Sequence, residues 1–168
     1  IREEGFKRVN LNERVYVTKA KRDGDTLRID TRNVSRCDIP NDLMHRMRSS
    51  IIFLGAVTAR CKCAKMSFPG GCELGPRPID LHLSSLRQMG IDITEEHGEI
   101  LCDAECGIKP AKIALAFPSV GATENIMIAS VLAQGTTIIT NAAREPEIAD
   151  LADFLNSCGA KISGAGES

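Results

Sequence analysis

Three times in this chain a helix-like run stops at a glycine and gives way at once to alternating apolar and polar residues. The passages are Ile1-Arg2-Glu3-Glu4-Gly5-Phe6-Lys7-Arg8-Val9, Leu86-Arg87-Gln88-Met89-Gly90-Ile91-Asp92-Ile93 and Leu155-Asn156-Ser157-Cys158-Gly159-Ala160-Lys161-Ile162. A glycine placed so closes a helix and releases a strand. The three glycines stand at 5, 90 and 159, which marks an internal repeat with one longer copy. The first copy is expected to have lost its beginning.

Two further stretches restrict the architecture. Arg48 to Arg60 and Gly121 to Gln134 are apolar on nearly every face. Helices of that kind are buried on all sides, whereas the amphipathic runs Pro78 to Met89 and Pro146 to Cys158 cover one face only. Each copy therefore reads as a buried helix, a strand (Lys65–Phe68, Thr136–Thr140), a proline-started amphipathic helix, then a strand or hairpin. In the earlier copy that hairpin is Ile91–Thr94 with Glu99–Cys102 across His97-Gly98. Ahead of them, turns near Asn10-Leu11-Asn12 and at Asp23-Gly24-Asp25 predict strands at 6–9, 14–19 and 26–30. Thr31 to Asp42 is polar and loop-like. The implied fold class is α/β, with helices wrapped by sheets.

A length of 168 residues accommodates one domain with a sizeable core. A net charge of −1 leaves no electrostatic footprint for nucleic acid, and one Tyr with no Trp leaves no stacking platform for bases. No apolar run approaches the roughly 18 residues of a membrane span, and Ile1-Arg2-Glu3-Glu4 is no signal peptide, so a cytoplasmic protein is expected. Seven cysteines, at 37, 61, 63, 72, 102, 106 and 158, form an odd and irregular set that does not read as a disulfide framework. Neither their spacing nor that of the histidines at 45, 82 and 97 suggests a metal site.

The chemistry concentrates in Pro69-Gly70-Gly71-Cys72-Glu73-Leu74-Gly75-Pro76-Arg77-Pro78-Ile79-Asp80. Its glycines and prolines place a thiol, Cys72, on a loop, and Arg77 offers a planar fork of donors to carboxylate or phosphate. Asp80, in the first turn of the following helix, suits the positive helix end and can accept hydrogen bonds from a ligand. The alternative is a surface loop whose cysteine merely packs. Phe117-Pro118-Ser119-Val120-Gly121-Ala122-Thr123 leads into the second buried helix, and its backbone N–H groups would attract phosphate. A plain N-cap by Ser119 is the other reading. Arg48 begins the first buried helix against the helix dipole, which hints at a bound anion; a solvent-facing arginine is the alternative. Arg144-Glu145-Pro146-Glu147 reads as charge pairing at a helix start, with contact to substrate as the alternative.

Arg48-Ser49-Ser50, the loop from Pro69 to Asp80, Phe117 to Thr123 and Asn141-Ala142-Ala143-Arg144-Glu145-Pro146-Glu147-Ile148 closely resemble segments of the UDP-N-acetylglucosamine 1-carboxyvinyltransferase family. These are the enolpyruvyl transferases that commit UDP-N-acetylglucosamine to peptidoglycan. The resemblance runs from about Leu43 to Gly166 in matching order, and the Gly-Gly-Cys loop separates the family from its shikimate-pathway relative. It implies an inside-out α/β barrel domain built from repeated βαβαββ units. Residues 1–42 would be the tail of one unit, 43–116 a second and 117–168 most of a third.

The resemblance also implies transfer of enolpyruvate from phosphoenolpyruvate to the sugar 3-hydroxyl, with no cofactor. Cys72 resembles the proton donor, and as thiolate it would be captured by phosphoenolpyruvate or by an epoxide such as fosfomycin. Arg77 would neutralise charge building in the transition state. Arg48 would contact UDP-N-acetylglucosamine. Arg77, Pro78, Ile79, Asp80 and Leu81 would surround the uridine diphosphate, with Asp80 on the uracil edge. Phe117, Pro118, Ser119, Val120 and Gly121 would touch the nucleotide, although Phe117 stands where the family often has lysine; Phe53 stands where relatives often have tryptophan. The general base, an aspartate, lies in a second domain missing from this chain, and the family's N-terminal Lys-Asn pair is absent too. The fragment is expected to be inactive alone. A non-catalytic sugar-nucleotide-binding module, another enolpyruvyl transferase and a ligand-free structural repeat are the competing readings. An exposed Cys72 argues against the first, and the Arg48, Arg77 and Ser119 set against the last.

Overall fold

The computed structural model describes residues 19–32, 34, 36–39, 41, 44, 48–69 and 79–167. The strand expected at 6–9, nearly all of that at 14–19 and the loop residues 70–78 lie outside them. β1 (Lys19–Asp23) and β2 (Thr26–Asp30) make an antiparallel hairpin. Asp23 pairs with Thr26 and Lys19 with Asp30, so the first strand adjoins the turn directly instead of stopping at residue 19. A 3-10 turn (Arg48–Ile52) then runs into α1 (Phe53–Cys61). There follow β3 (Cys63–Ser67), α2 (Asp80–Gln88), β4 (Asp92–Glu96) and β5 (Glu99–Asp103). The remainder is β6 (Lys112–Ala114), α3 (Val120–Ser130), β7 (Ile138–Thr140) and α4 (Pro146–Ser157).

Strands β3, β5 and β4 form an antiparallel sheet in that order. Ala64, Met66, Ile93, Ile100 and Cys102 are buried, while Lys65 and Glu99 form an ion pair at 2.8 Å on the opposite, exposed face. Strand alternation thus presses one face onto the helices and leaves the other to charged residues. Residues 37–39, expected as loop, run parallel along the free edge of β3: Ile39 N–H donates to Lys65 O at 2.7 Å and Lys65 N–H to Cys37 O at 2.8 Å. β6, too short to show a period in the sequence, pairs parallel with β7. The two arrangements match: an extended segment, a buried helix, then a strand parallel to the first, as a crossover connection requires.

α3 packs against α1, α2, α4 and the 3-10 turn. Its Ile126 belongs to the larger core with Leu54, Met66, Leu86 and Ile100, and its Met127 to a smaller one with Ala143, Ile148 and Ala152. Helices apolar on all sides are therefore buried, as expected. α3 is shorter than the apolar run, however: beyond Ser130 the last turn tightens, with Ala133 N–H donating to Ser130 O at 3.0 Å, and the chain leaves the helix through 131–135.

α2 and α4 end on the same cap. Gly90 and Gly159 have φ of 81° and 102°. Ile91 N–H reaches back to Leu86 O at 3.3 Å and Ala160 N–H to Leu155 O at 3.0 Å, the six-to-one bond of a Schellman motif. After Gly159 the expected strand does not form. Asn156 instead holds both backbone groups of Ile162, accepting from its N–H at 2.7 Å and donating to its carbonyl at 2.9 Å. Among the described residues no helix is long and apolar enough to cross a membrane.

Candidate functional site

Three helix starts meet around α3. The first is that of α3 itself, where Ser119 is the N-cap: its extended backbone (φ −134°, ψ 116°) lets Oγ accept from Ala122 N–H at 3.4 Å, and its carbonyl accepts from Thr123 N–H at 2.9 Å. The capping reading of Ser119 is thus realised. It leaves the N–H groups of Val120 and Gly121 without a partner among the described residues, at the positive end of the helix. Phe117 and Pro118 are exposed just ahead of them.

The second start is that of α2. Asp80 occupies its first position, exposed, where a carboxylate complements the helix dipole. The helix begins there rather than at Pro78, which lies outside the described residues together with Cys72 and Arg77. Ile79 is buried in the larger core and Leu81 packs against it, so the Ile79 side chain serves packing and leaves its backbone to cap the helix: His82 N–H and Leu83 N–H donate to Ile79 O at 2.9 and 3.1 Å. The third start is the 3-10 turn opened by Arg48.

The link among them is a buried polar pair that the sequence reading passed over. Asn125 of α3 is fully buried and bonds Gly55 N–H, Ile51 O and the His82 ring. Gly55 has to be glycine for α1 to come this close, since a Cβ would stand 2.7 Å from Asn125 O. His82 lies against Gly121, where a Cβ would be 3.1 Å from Cε1. The signal was present in the sequence: an asparagine inside an otherwise apolar run either finds partners or costs desolvation. On the other side of α3, Thr123 Oγ1 accepts from Ala143 N–H at 3.1 Å, fixing the entry to α4. There the Glu145 carboxylate accepts from Arg144 N–H at 2.9 Å. Glu124 faces the same side, its carboxyl raised by burial and by the nearby Glu147 carboxylate.

The described thiols differ sharply. Burial pushes Cys102 up to about 11, and Cys63 is pushed up to about 11 mainly by its hydrogen bond with the Cys37 thiol. Burial also raises Cys61. These groups remain protonated at neutral pH and are poor nucleophiles. Cys106 and Cys158 are exposed.

The fold is an α/β assembly with its helices inside and its sheets outside, and three helix starts meet around its central helix. The profile of the EPSP synthase (3-phosphoshikimate 1-carboxyvinyltransferase) family matches residues 11–168. The chain belongs to that family. It is 54% identical over 143 residues to UDP-N-acetylglucosamine 1-carboxyvinyltransferase 2 of Caldanaerobacter subterraneus subsp. tengcongensis, covering 85% of this chain and 34% of the relative. Against UDP-N-acetylglucosamine 1-carboxyvinyltransferase 1 of Carboxydothermus hydrogenoformans the identity is 52% over the same shares. The chain thus spans about a third of the length of these relatives. Among solved structures, the enolpyruvyl transferase NikO from Streptomyces tendae superposes with a TM-score of 0.73 at 23% identity, over 88% of this chain and 35% of that one. EPSP synthase from Acinetobacter baumannii gives 0.62 at 20% identity, over 97% and 38%. Both likenesses concern the fold.

Proposed function

We propose that this chain is part of an enolpyruvyl transferase that acts on UDP-N-acetylglucosamine, with phosphoenolpyruvate as the donor, in peptidoglycan synthesis in the cytoplasm. The observation that carries the reading is the identity of half or more with bacterial relatives of that name along most of the chain. The meeting of the Arg48 turn, the Asp80–Leu81 start and the Ser119–Gly121 start around one helix supports it, because a sugar nucleotide needs several anchors held at fixed separation.

In this reading the diphosphate lies at the N–H groups of Val120 and Gly121, with Phe117 and Pro118 flanking it. Asp80 accepts from the uracil edge, beside Leu81, Ile79 and Pro78, and Arg48 and Arg77 supply positive charge. Cys72 delivers the proton to the methylene carbon of phosphoenolpyruvate, a task for a thiol that is protonated at neutral pH yet acidic enough to give its proton up. The 3-hydroxyl of the sugar adds to the adjacent carbon to give a tetrahedral adduct, and the new methyl group then gives up a proton as phosphate leaves and the enol ether forms. The base that takes the hydroxyl proton comes from a second domain, and the repeat units divide near 42 and 116.

Titrating the ¹⁵N-labelled chain with UDP-N-acetylglucosamine tests this. Shifts are expected at Asp80–Leu81 and Phe117–Gly121, with millimolar affinity or weaker, about −4 kcal/mol, since one wall of the cleft is present. Shifts confined to other regions would overturn the placement. With both substrates the chain alone should release no phosphate; release that depends on both and disappears in Cys72→Ala would show that the chain supplies its own base.

A further inference from the structure

Asn125 does something unusual for a side chain in the middle of a buried helix. Its Oδ1 accepts from Gly55 N–H at 2.8 Å and its Nδ2 donates to Ile51 O at 3.2 Å. Those two backbone groups are four residues apart, and in an uninterrupted α-helix they would bond each other. The amide of α3 is instead spliced into the ladder of the neighbouring helix, at the point where the 3-10 turn gives way to α1. A backbone N–H only donates and a carbonyl only accepts, so these partners fix the orientation of the amide. Nδ2 is therefore also the donor to His82 Nδ1, at 3.1 Å. The ring then keeps Nδ1 bare and carries its proton on Nε2, on the side where Cε1 and Nε2 border Gly121.

We propose that Asn125 is the positioning residue that sets three segments relative to one another: the Arg48 turn, the Asp80–Leu81 start of α2 and the Ser119–Gly121 start of α3. That these segments bind the sugar nucleotide rests on the function proposed above. The mechanical argument does not. Without the inserted amide, Gly55 N–H and Ile51 O close on each other and the turn at 48–52 can wind into α-helix. The rise per residue falls from about 2.0 to about 1.5 Å, so over the turn Arg48 retracts by about 2.5 Å. A shift of that size separates an anchor from its ligand. Losing the bond to His82 at the same time frees the start of α2 from the start of α3.

The experiment compares the ¹⁵N-labelled chain with Asn125→Ala. Amide shifts should change together at 48–52, 80–82 and 119–121, the His82 Nδ1 resonance should move as it loses its donor, and affinity for UDP-N-acetylglucosamine should fall at least tenfold. Changes confined to 121–129, with the His82 resonance and the affinity unaltered, would overturn the proposal. If Asn125→Ala does not fold, His82→Gln and His82→Ala decide: the Gln carbonyl can accept from Asn125 Nδ2 and should hold the three segments in their wild-type shifts, whereas Ala should not. Equal behaviour of the two overturns it. Should the unmodified chain fail to bind UDP-N-acetylglucosamine, the proposed function falls, while the joint movement of the three segments still decides the role of Asn125.

Discussion

α2 and α4 finish on the same glycine cap, yet α2 buries Leu83 and Leu86 and closes on a buried Met89, whereas α4 buries Ile148 and Ala152 and leaves Phe154 63% exposed. The difference comes from what lies around them. β3 is paired on both edges, by β5 and by residues 37–39, and its sheet roofs a core shared by α1, α2 and α3. Among the described residues, β7 pairs with β6 alone in a two-stranded sheet, and α4 rests on a core of four buried residues. One local code builds both helices, and the number of neighbours decides how much of each is covered.

The harshest way to break this comparison is Gly55→Ala, which drives a methyl group into the Asn125 backbone and displaces its amide. Overpacking together with the loss of a buried hydrogen bond should cost about 4 kcal/mol. Urea denaturation should show the whole chain affected, since α3 serves both cores; a loss below about 1 kcal/mol would mean that α1 and α3 can part freely.

A milder pair sharpens it. Leu86 and Leu155 accept the same capping bond, but Leu86 is fully buried and Leu155 only half-buried. Leu86→Ala should cost about 3 kcal/mol and Leu155→Ala about 1 kcal/mol. Equal losses in the denaturation midpoints would show that α4 is as well covered as α2.

The gentlest test leaves the chain unmutated. Cys158 ends α4 exposed, while Cys63 and Cys102 lie at the β3–β5 sheet with thiols pushed up to about 11. Against an ordinary thiol near 8.5 to 9 that is about a hundredfold less thiolate at neutral pH. A limiting dose of iodoacetamide followed by peptide mapping should find the exposed Cys158 labelled faster than either. Raising the pH above the ordinary thiol range should also weaken the fold: a thiol whose folded pKa is raised contributes stability below about 9 that is lost as pH rises through about 11. Cys102→Ala should flatten that alkaline loss.

Much of the architecture was legible along the chain. The all-apolar runs gave the two buried helices, Pro146 opened α4 at its first position, and the glycines at 90 and 159 closed their helices where expected. These signals act within a turn or two of backbone, where sterics and unpaired N–H and C=O groups decide. Ser119 announced itself as either a cap or a phosphate neighbour, and the cap is the reading that the structure shows.

What the sequence by itself determined is thus which segments are helices, the glycines that close two of them, and which faces are apolar. Only the tertiary structure decided that residues 37–39 bridge to β3 and that 112–114 become a strand, because so short an extended segment exists by virtue of the edge it pairs with. It alone decided that the residues after Gly159 stay irregular, and that Arg48–Ile52 is a 3-10 turn. That last feature depends on an amide 70 residues away from Gly55 in the chain. No local propensity encodes it, since the energy that holds it is a buried hydrogen bond that forms only once α1 and α3 have packed.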